Sequence, residues 1–405
     1  MTYTYTAVDQ NGEQIQVEAT AAQVLEMLRS DRYTPGQKRN LAKMLMKSDR
    51  NLSDLMRADR MQDSEYAVIP TPFPSLNDLL SGGLPVGQIT VIASEEGRGK
   101  TSLQQMLTVS ALENDQQRYI ADKQLMATRK NCIFLLSAEA TVEENKNLLA
   151  KKLAGSHHMQ EIVKVAGSER HLIDDNAWEA IEKAYEGRVW NYKLEVGIDA
   201  WERFKTAMEM AIVGMDCNML IIDNIMKIQL ALMASGQNRN TDIFEIQQLV
   251  MNYMTELIQR YRIAIVVISH KAKTSGRTYR IDKVTGEYTY DLGALNREVY
   301  GTYAITGLAG LIVHLIRPDE MGDANQRHLV VSKARCPART SVSPITITYD
   351  PISGRLAEEG DYGFENRPMS WDVECDGFEP LTEESLAAAQ APYGCKQLTL
   401  EDFED

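Results

Sequence analysis

Nine consecutive residues, Ser94-Glu95-Glu96-Gly97-Arg98-Gly99-Lys100-Thr101-Ser102, carry the clearest chemistry in the chain. An apolar, β-branched run from Gln88 to Ala93 precedes them, and a helical stretch opens at Leu103. Strand, glycine-containing turn and helix in that order make a P-loop, whose backbone N–H groups turn inward on phosphate oxygens at a helix N-terminus. Gly97 and Gly99 permit the turn, Lys100 is the type to reach β- and γ-phosphates, and the Thr101 hydroxyl is a ligand for Mg²⁺. Ser94 stands where the usual pattern has its first glycine, but the Gly-Lys-Thr end, where the contacts concentrate, is intact. The implied cofactors are Mg²⁺ and ATP, or another NTP or dNTP.

Such a site needs further polar groups, and three apolar strands deliver them. Asn218-Met-Leu-Ile-Ile-Asp223 ends in a carboxylate suited to hold Mg²⁺ directly or through water. Asn131 to Leu136 runs into Ser137-Ala138-Glu139, which puts Glu139 beside the P-loop of a doubly wound sheet as a base for water. Ile263 to Ile268 ends in Ser269-His270, a polar pair where a γ-phosphate can be sensed.

The elements that must position these groups alternate between short apolar runs and longer helical segments from Phe73 to about Leu356. That pattern predicts a parallel sheet buried on both faces, with ligands beyond the carboxyl ends of its strands. Residues 1–60 read as a small separate module: strands Tyr3 to Val8 and Gln14 to Glu18 around an Asn11-Gly12 turn, then helical spacing over 21–28 and 37–46. Residues 61–72, with Pro70, Pro72 and the following Pro74, read as a linker, 73–357 as the main domain and 358–405 as a disordered acidic tail.

Composition bounds the class. Apolar residues make up 44% and charged residues 25% of the 405, as in an ordinary globular protein. No run approaches the ~18 apolar residues of a spanning helix. Cysteines 132, 217, 336, 375 and 395 are scattered without zinc-ligand spacing, and a reduced cytoplasmic setting is expected. Net charge is −14, but Leu356 to Asp405 holds fourteen acidic and two basic residues. The rest of the chain is near neutral, so a basic lining for nucleic acid remains open.

Strand-Ser-Ala-Glu139, strand-Asp223 and strand-Ser269-His270, in this order after a P-loop, resemble the DnaB-like hexameric replicative helicases, in particular the helicase half of phage primase-helicases and Twinkle. The lead-in Phe73 to Gln88, where a helix ends in a glycine-rich turn, is similar to that family's. The resemblance spans roughly Thr71 to Ala357 and implies a RecA-like core. It implies Glu139 as catalytic base, His270 as the switch coupling γ-phosphate to DNA, and Lys333 with Arg335, in Val330-Val-Ser-Lys-Ala-Arg335, as residues acting on a neighbouring subunit. It also implies that Arg317 and Tyr349 sandwich the nucleobase, although Tyr349 serves strand packing equally well. One departure is the apolar segment Tyr300 to Gly310, where relatives carry a glutamine or similar polar residue.

For the nucleic-acid side, two loops stand out. Ala234 to Thr241 is polar and contains Arg239; Lys271 to Lys283 holds five basic residues, Lys271, Lys273, Arg277, Arg280 and Lys283, against Asp282 alone. Such loops suit contact with single-stranded DNA phosphates irrespective of sequence. Expected partners are single-stranded DNA, further copies of the chain in a hexameric ring, and a DNA polymerase docked on the acidic end. That end equally suits a solubilising tail. A separate primase is also expected, since residues 1–70 hold no cysteine and are too short for a fused one. A phage origin would put the protein in its bacterial host's cytoplasm, without membrane attachment. The alternative reading is a RecA-type recombinase or repair ATPase that forms filaments on DNA.

Overall fold

The computed structural model describes residues 2–8, 14–20, 23, 26, 34, 66–119, 125–137, 141–165, 168–194, 199–234, 242–271, 277–300, 303–335 and 337–375. The chain divides into two compact units, Met1–Ser64 and Glu65–Asp405. In the first, Thr2–Val8 pairs antiparallel with Gln14–Thr20, Val8 opposite Gln14; the Asn11-Gly12 turn expected between them lies outside the described residues. Of the helices expected after it, only Gln23 and Glu26 lie within the described residues, both helical.

The second unit is built on a nine-stranded sheet, in the order Val189–Lys193, Ile133–Ser137, Met219–Asp223, Ala264–His270, Ile89–Ser94, Leu311–Ile316, Gln326–Ala334, Ile345–Tyr349, Leu356–Glu358. The first six run parallel and the last three antiparallel. This is an α/β architecture with a mainly parallel central sheet. Side-chain alternation explains why the parallel strands read as continuous apolar runs. Ile133, Leu135, Met219, Ile221, Val266 and Ile268 enter one core with helices Lys100–Glu113, Val142–Ala154 and Asp175–Ala184. Phe134, Leu136, Leu220, Ile222, Ile265 and Val267 enter the other with helices Ala200–Glu209, Ile225–Ala234 and Ile243–Tyr261. Both faces are covered, so both residue parities are apolar.

Two expected boundaries move. Residues 67–72 are no linker: Ala67–Ile69 is a buried strand beside Leu84–Pro85 and Asp115–Tyr119, and Thr71 is buried. The prolines here end a strand and open helix Pro74–Leu79 rather than mark free chain. Gly83 (φ 146°) makes the close approach possible, because a Cβ there would lie 2.3 Å from the Ile69 carbonyl oxygen. Residues 358–375 are likewise anchored to this unit. Met369 and Trp371 are buried, and the buried Arg355 guanidinium donates to the carbonyls of Lys152, Leu153, Phe364, Glu365 and Arg367. Acidic composition hid these anchors; residues 376–405 lie outside the described residues. Among the described residues no helix is long and apolar enough to cross a membrane.

Candidate functional site

The site sits at the carboxyl edge of the parallel strands, where the helix after Ile89–Ser94 begins. Ser94 is buried, Glu95 and Glu96 are exposed, and Lys100 opens helix Lys100–Glu113. Gly97 (φ 72°) and Gly99 (φ 97°) hold left-handed conformations; a Cβ on Gly97 would meet nothing within 4 Å, and one on Gly99 only Leu315 at 4.0 Å. The loop is therefore an open cradle of backbone. Lys100 Nζ is buried within it, donating to the Glu95 carbonyl at 2.8 Å and the Ser94 carbonyl at 3.5 Å. A buried ammonium inside an open loop of backbone fits a phosphate group.

Register fixes what faces the loop. His270 pairs with Ser94 on the adjacent strand, and Asp223 lies one strand further, opposite Ser137. His270 Nδ1 is 3.3 Å from Lys100 Nζ, and its Nε2 is 2.8 Å from the side-chain amide of Asn224. An ammonium only donates, so Nδ1 accepts from Lys100. The imidazole thus bridges the P-loop lysine to the residue beside the buried Asp223. Thr101 on the loop and Asp223 are the two groups that would hold Mg²⁺, whose charge would offset that of a triphosphate.

The strand before Glu139 is not adjacent to the P-loop strand. Met219–Asp223 and Ala264–His270 stand between them, because the chain crosses over twice before returning to the sheet's middle. Glu139 itself lies outside the described residues, as do Arg239 and Lys273. The loop with Arg239 also does not follow the Asp223 strand directly, since helix Ile225–Ala234 intervenes.

On the other flank of the P-loop strand, burial, with Asp350 adding, raises the pKa of the Tyr349 phenol. Arg317 presents a buried Nε with no acceptor among the described residues, an orphan that a bound nucleotide would satisfy. Sequence reasoning missed Arg327, which donates from Nε to the Arg98 carbonyl at 3.2 Å. Burial, then Arg317 and Arg98, lower its pKa. Its strand runs antiparallel and so starts at the P-loop edge, a placement that no local spacing announces. Arg98 also pairs with Glu95 at 3.1 Å and Asp319 at 3.8 Å.

The same antiparallel turn sends Lys333 and Arg335 to the opposite edge. Ala334 lies opposite Leu311, whereas Ser94 lies opposite Leu315, roughly 13 Å of strand away at 3.3 Å per residue. Arg335 is exposed there. Lys333 is not: its ammonium donates to the carbonyls of Thr306 and Gly307, capping helix Tyr303–Leu308, and burial, then Arg335, lowers its pKa. Within its own chain the Lys333 ammonium is thus already engaged as a helix cap.

Lys271 is likewise engaged within its own chain. Rather than opening a basic loop, its side chain is 4% exposed and pairs with Glu298 at 2.7 Å. Its neighbours in sequence zip onto residues 299–300, with the Tyr300 N–H donating to the His270 carbonyl at 2.9 Å. Of the other expected DNA contacts, Arg277 is exposed and paired with Glu320 at 2.6 Å, and Arg280 is exposed on the hairpin Tyr279–Ile281/Tyr288–Tyr290.

No protein-family model and no curated protein matches this chain. Among solved structures it is similar to a KaiC-like protein from the hyperthermophilic archaeon Pyrococcus horikoshii, at 14% identity and a TM-score of 0.45, covering 72% of this chain and 98% of that one.

Proposed function

We propose that this chain is an NTP-driven, ring-forming helicase that translocates on single-stranded DNA and unwinds duplex at a replication fork. One observation carries the reading: the parts of the site are divided between opposite edges of one sheet. Lys100, Thr101, Asp223 and His270 face the cradle, while the exposed Arg335 points away from it at the other end of the strands. Arg335 reaches a triphosphate only in a neighbouring copy that turns its cradle towards that edge. Repeated head to tail, such a contact closes into a ring or winds into an open helix.

Within each seam, Thr101 and Asp223 hold Mg²⁺, Arg317 and Tyr349 border the base, and Arg335 from the next copy neutralises charge in the transition state. Glu139 is the base by family resemblance. His270 reads the γ-phosphate through Lys100, and its strand leads into the segment carrying Lys273, Arg277 and Arg280, which contact DNA together with Arg239. Lys271 anchors that segment on Glu298. The test is strand displacement on forked DNA by the full chain and by Lys100→Ala and Glu139→Gln, with negative-stain images on DNA. Unwinding by rings, lost in both variants, supports the proposal. Open filaments without unwinding would replace it with the recombinase reading.

A further inference from the structure

Away from the cradle, His157, His158 and Asp372 bring three ligand atoms within 4.8 Å of one another. His157 Nε2 lies 3.3 Å from Asp372 Oδ2, and His158 Nε2 lies 3.0 Å from Asp372 Oδ1. Ligands at ~2.0–2.1 Å around a tetrahedral zinc ion stand about 3.3 Å apart. Each histidine already stands at about that distance from an Asp372 oxygen.

Proton counting shows what is missing. His158 has a carboxylate oxygen on each ring nitrogen: Asp174 Oδ2 at 3.1 Å from Nδ1 and Asp372 Oδ1 at 3.0 Å from Nε2. A neutral imidazole donates from one nitrogen only, so the other would turn its lone pair on a carboxylate. A cation between Nε2 and Asp372 removes that conflict. Asp174 then serves as the outer partner that orients a metal-bound histidine, and its other oxygen is already fixed by the Ala177 N–H at 2.8 Å.

The scaffold is rigid. His158 packs on the buried Trp371, ring centroids 4.9 Å apart, and Trp371 Nε1 donates to the Leu153 carbonyl at 3.1 Å. The Asp174 N–H donates to the His158 carbonyl at 3.0 Å, and the Asp372 N–H to Met369 at 3.0 Å. Asp372 is buried, while His157 is exposed and leaves an approach from solvent.

We propose that His157, His158 and Asp372 bind a divalent transition-metal cation, Zn²⁺ by their ligand types, with water in the remaining position. The ion clasps helix Ser370–Cys375 to the turn Ser156–His158, immediately before the acidic residues 376–405. Neither ligation nor this clasp depends on the chain being a helicase.

The test uses the full chain stripped with EDTA, titrated with Zn²⁺ against a chromophoric chelator and then with Co²⁺. Wild type is expected to take up about one more equivalent of zinc than His157→Gln/His158→Gln. It should also show the visible bands of four-coordinate cobalt that the double variant lacks. Asp174→Asn is expected to weaken zinc binding about 10- to 100-fold. His157→Gln alone changes an exposed side chain and keeps the fold, so its loss of affinity stands if the double variant proves unstable. Equal zinc uptake by wild type and His157→Gln, or no uptake by either, overturns the proposal.

Discussion

The imidazole of His270 lies 3.3 Å from the ammonium of Lys100, joining the end of one strand to the phosphate loop after the next. A phosphate that draws Lys100 forward removes the donor from Nδ1, while the backbone carbonyl of His270 stays tied to Tyr300 at 2.9 Å. The peptide of His270 is thus anchored while its ring touches Lys100 and Asn224, the arrangement that the proposed sensor role needs.

His270→Ala is accordingly expected to uncouple two activities. Hydrolysis without DNA should fall modestly, and its stimulation by single-stranded DNA should fall further, by a factor between about 5 and 150, the usual span of a coupling between sites. Steady-state rates with and without oligonucleotide decide this. Equal losses in both would remove His270 from the coupling path.

The separation of Arg335 from Ser94 along the sheet makes a second expectation. Arg335→Ala should lower turnover by roughly 10³–10⁵ if its guanidinium faces the transferred phosphoryl group. Mixing it with inactive Lys100→Ala chains should restore activity, because a seam with Lys100 from one and Arg335 from the other is intact. Random mixing in equal amounts gives about a quarter of seams that form. No recovery after co-assembly would mean that Arg335 acts within its own chain or not at all.

Legibility divided along physical lines. Contiguous chemistry was readable: the P-loop is one run of residues, and Asp223 and His270 each end an apolar strand, so sequence order alone brought them to one edge. Groups positioned by antiparallel return were not. Arg327 lies near the start of strand Gln326–Ala334 and Arg335 just past its end, so they part to opposite edges because that strand reverses direction. Lys271 and Lys333 look like free cations in sequence; only the fold supplies Glu298 and the carbonyls of a short helix. Strand order was the other gap. Neighbours in sequence predicted the Glu139 strand beside the P-loop, whereas crossovers put two strands between.

Cys132 and Cys217, 85 residues apart in sequence, bring their sulfurs to 3.3 Å at the start of adjacent strands. The hydrogen bond from Cys217 holds the Cys132 thiol below its usual pKa, and the same bond followed by burial raises that of Cys217. Diamide is therefore expected to oxidise this pair, two thiols losing two electrons and two protons to the reagent as it becomes the hydrazine. Peptide mapping should find a 132–217 crosslink, absent in Cys132→Ser. Modification of Cys132 without that crosslink would count against the pairing.

Lys152 and Arg355 are both buried cations, but they are solvated differently. Arg355 has backbone carbonyls on its guanidinium, whereas Lys152 Nζ lies near Gly354, 2.8 Å from where a Cβ would be, and burial pushes its pKa down to about 7, with Lys151 adding to the effect. The unfolded chain then binds more protons than the folded one between about pH 7 and 10.5, so stability rises with pH across that window, and the full cost of burying the ammonium is present below it. Lys152→Met keeps the apolar stem and removes the charge. It should stabilise the protein at pH 6 by on the order of 3 kcal/mol, with the gain shrinking by up to about 1.4 kcal/mol per pH unit once the window is entered. Urea melts of both proteins at pH 6 and pH 9 measure this. A variant less stable than wild type at pH 6 would mean that the ammonium is held by favourable contacts rather than stranded, and the assignment of Lys152 as a buried cost would fall.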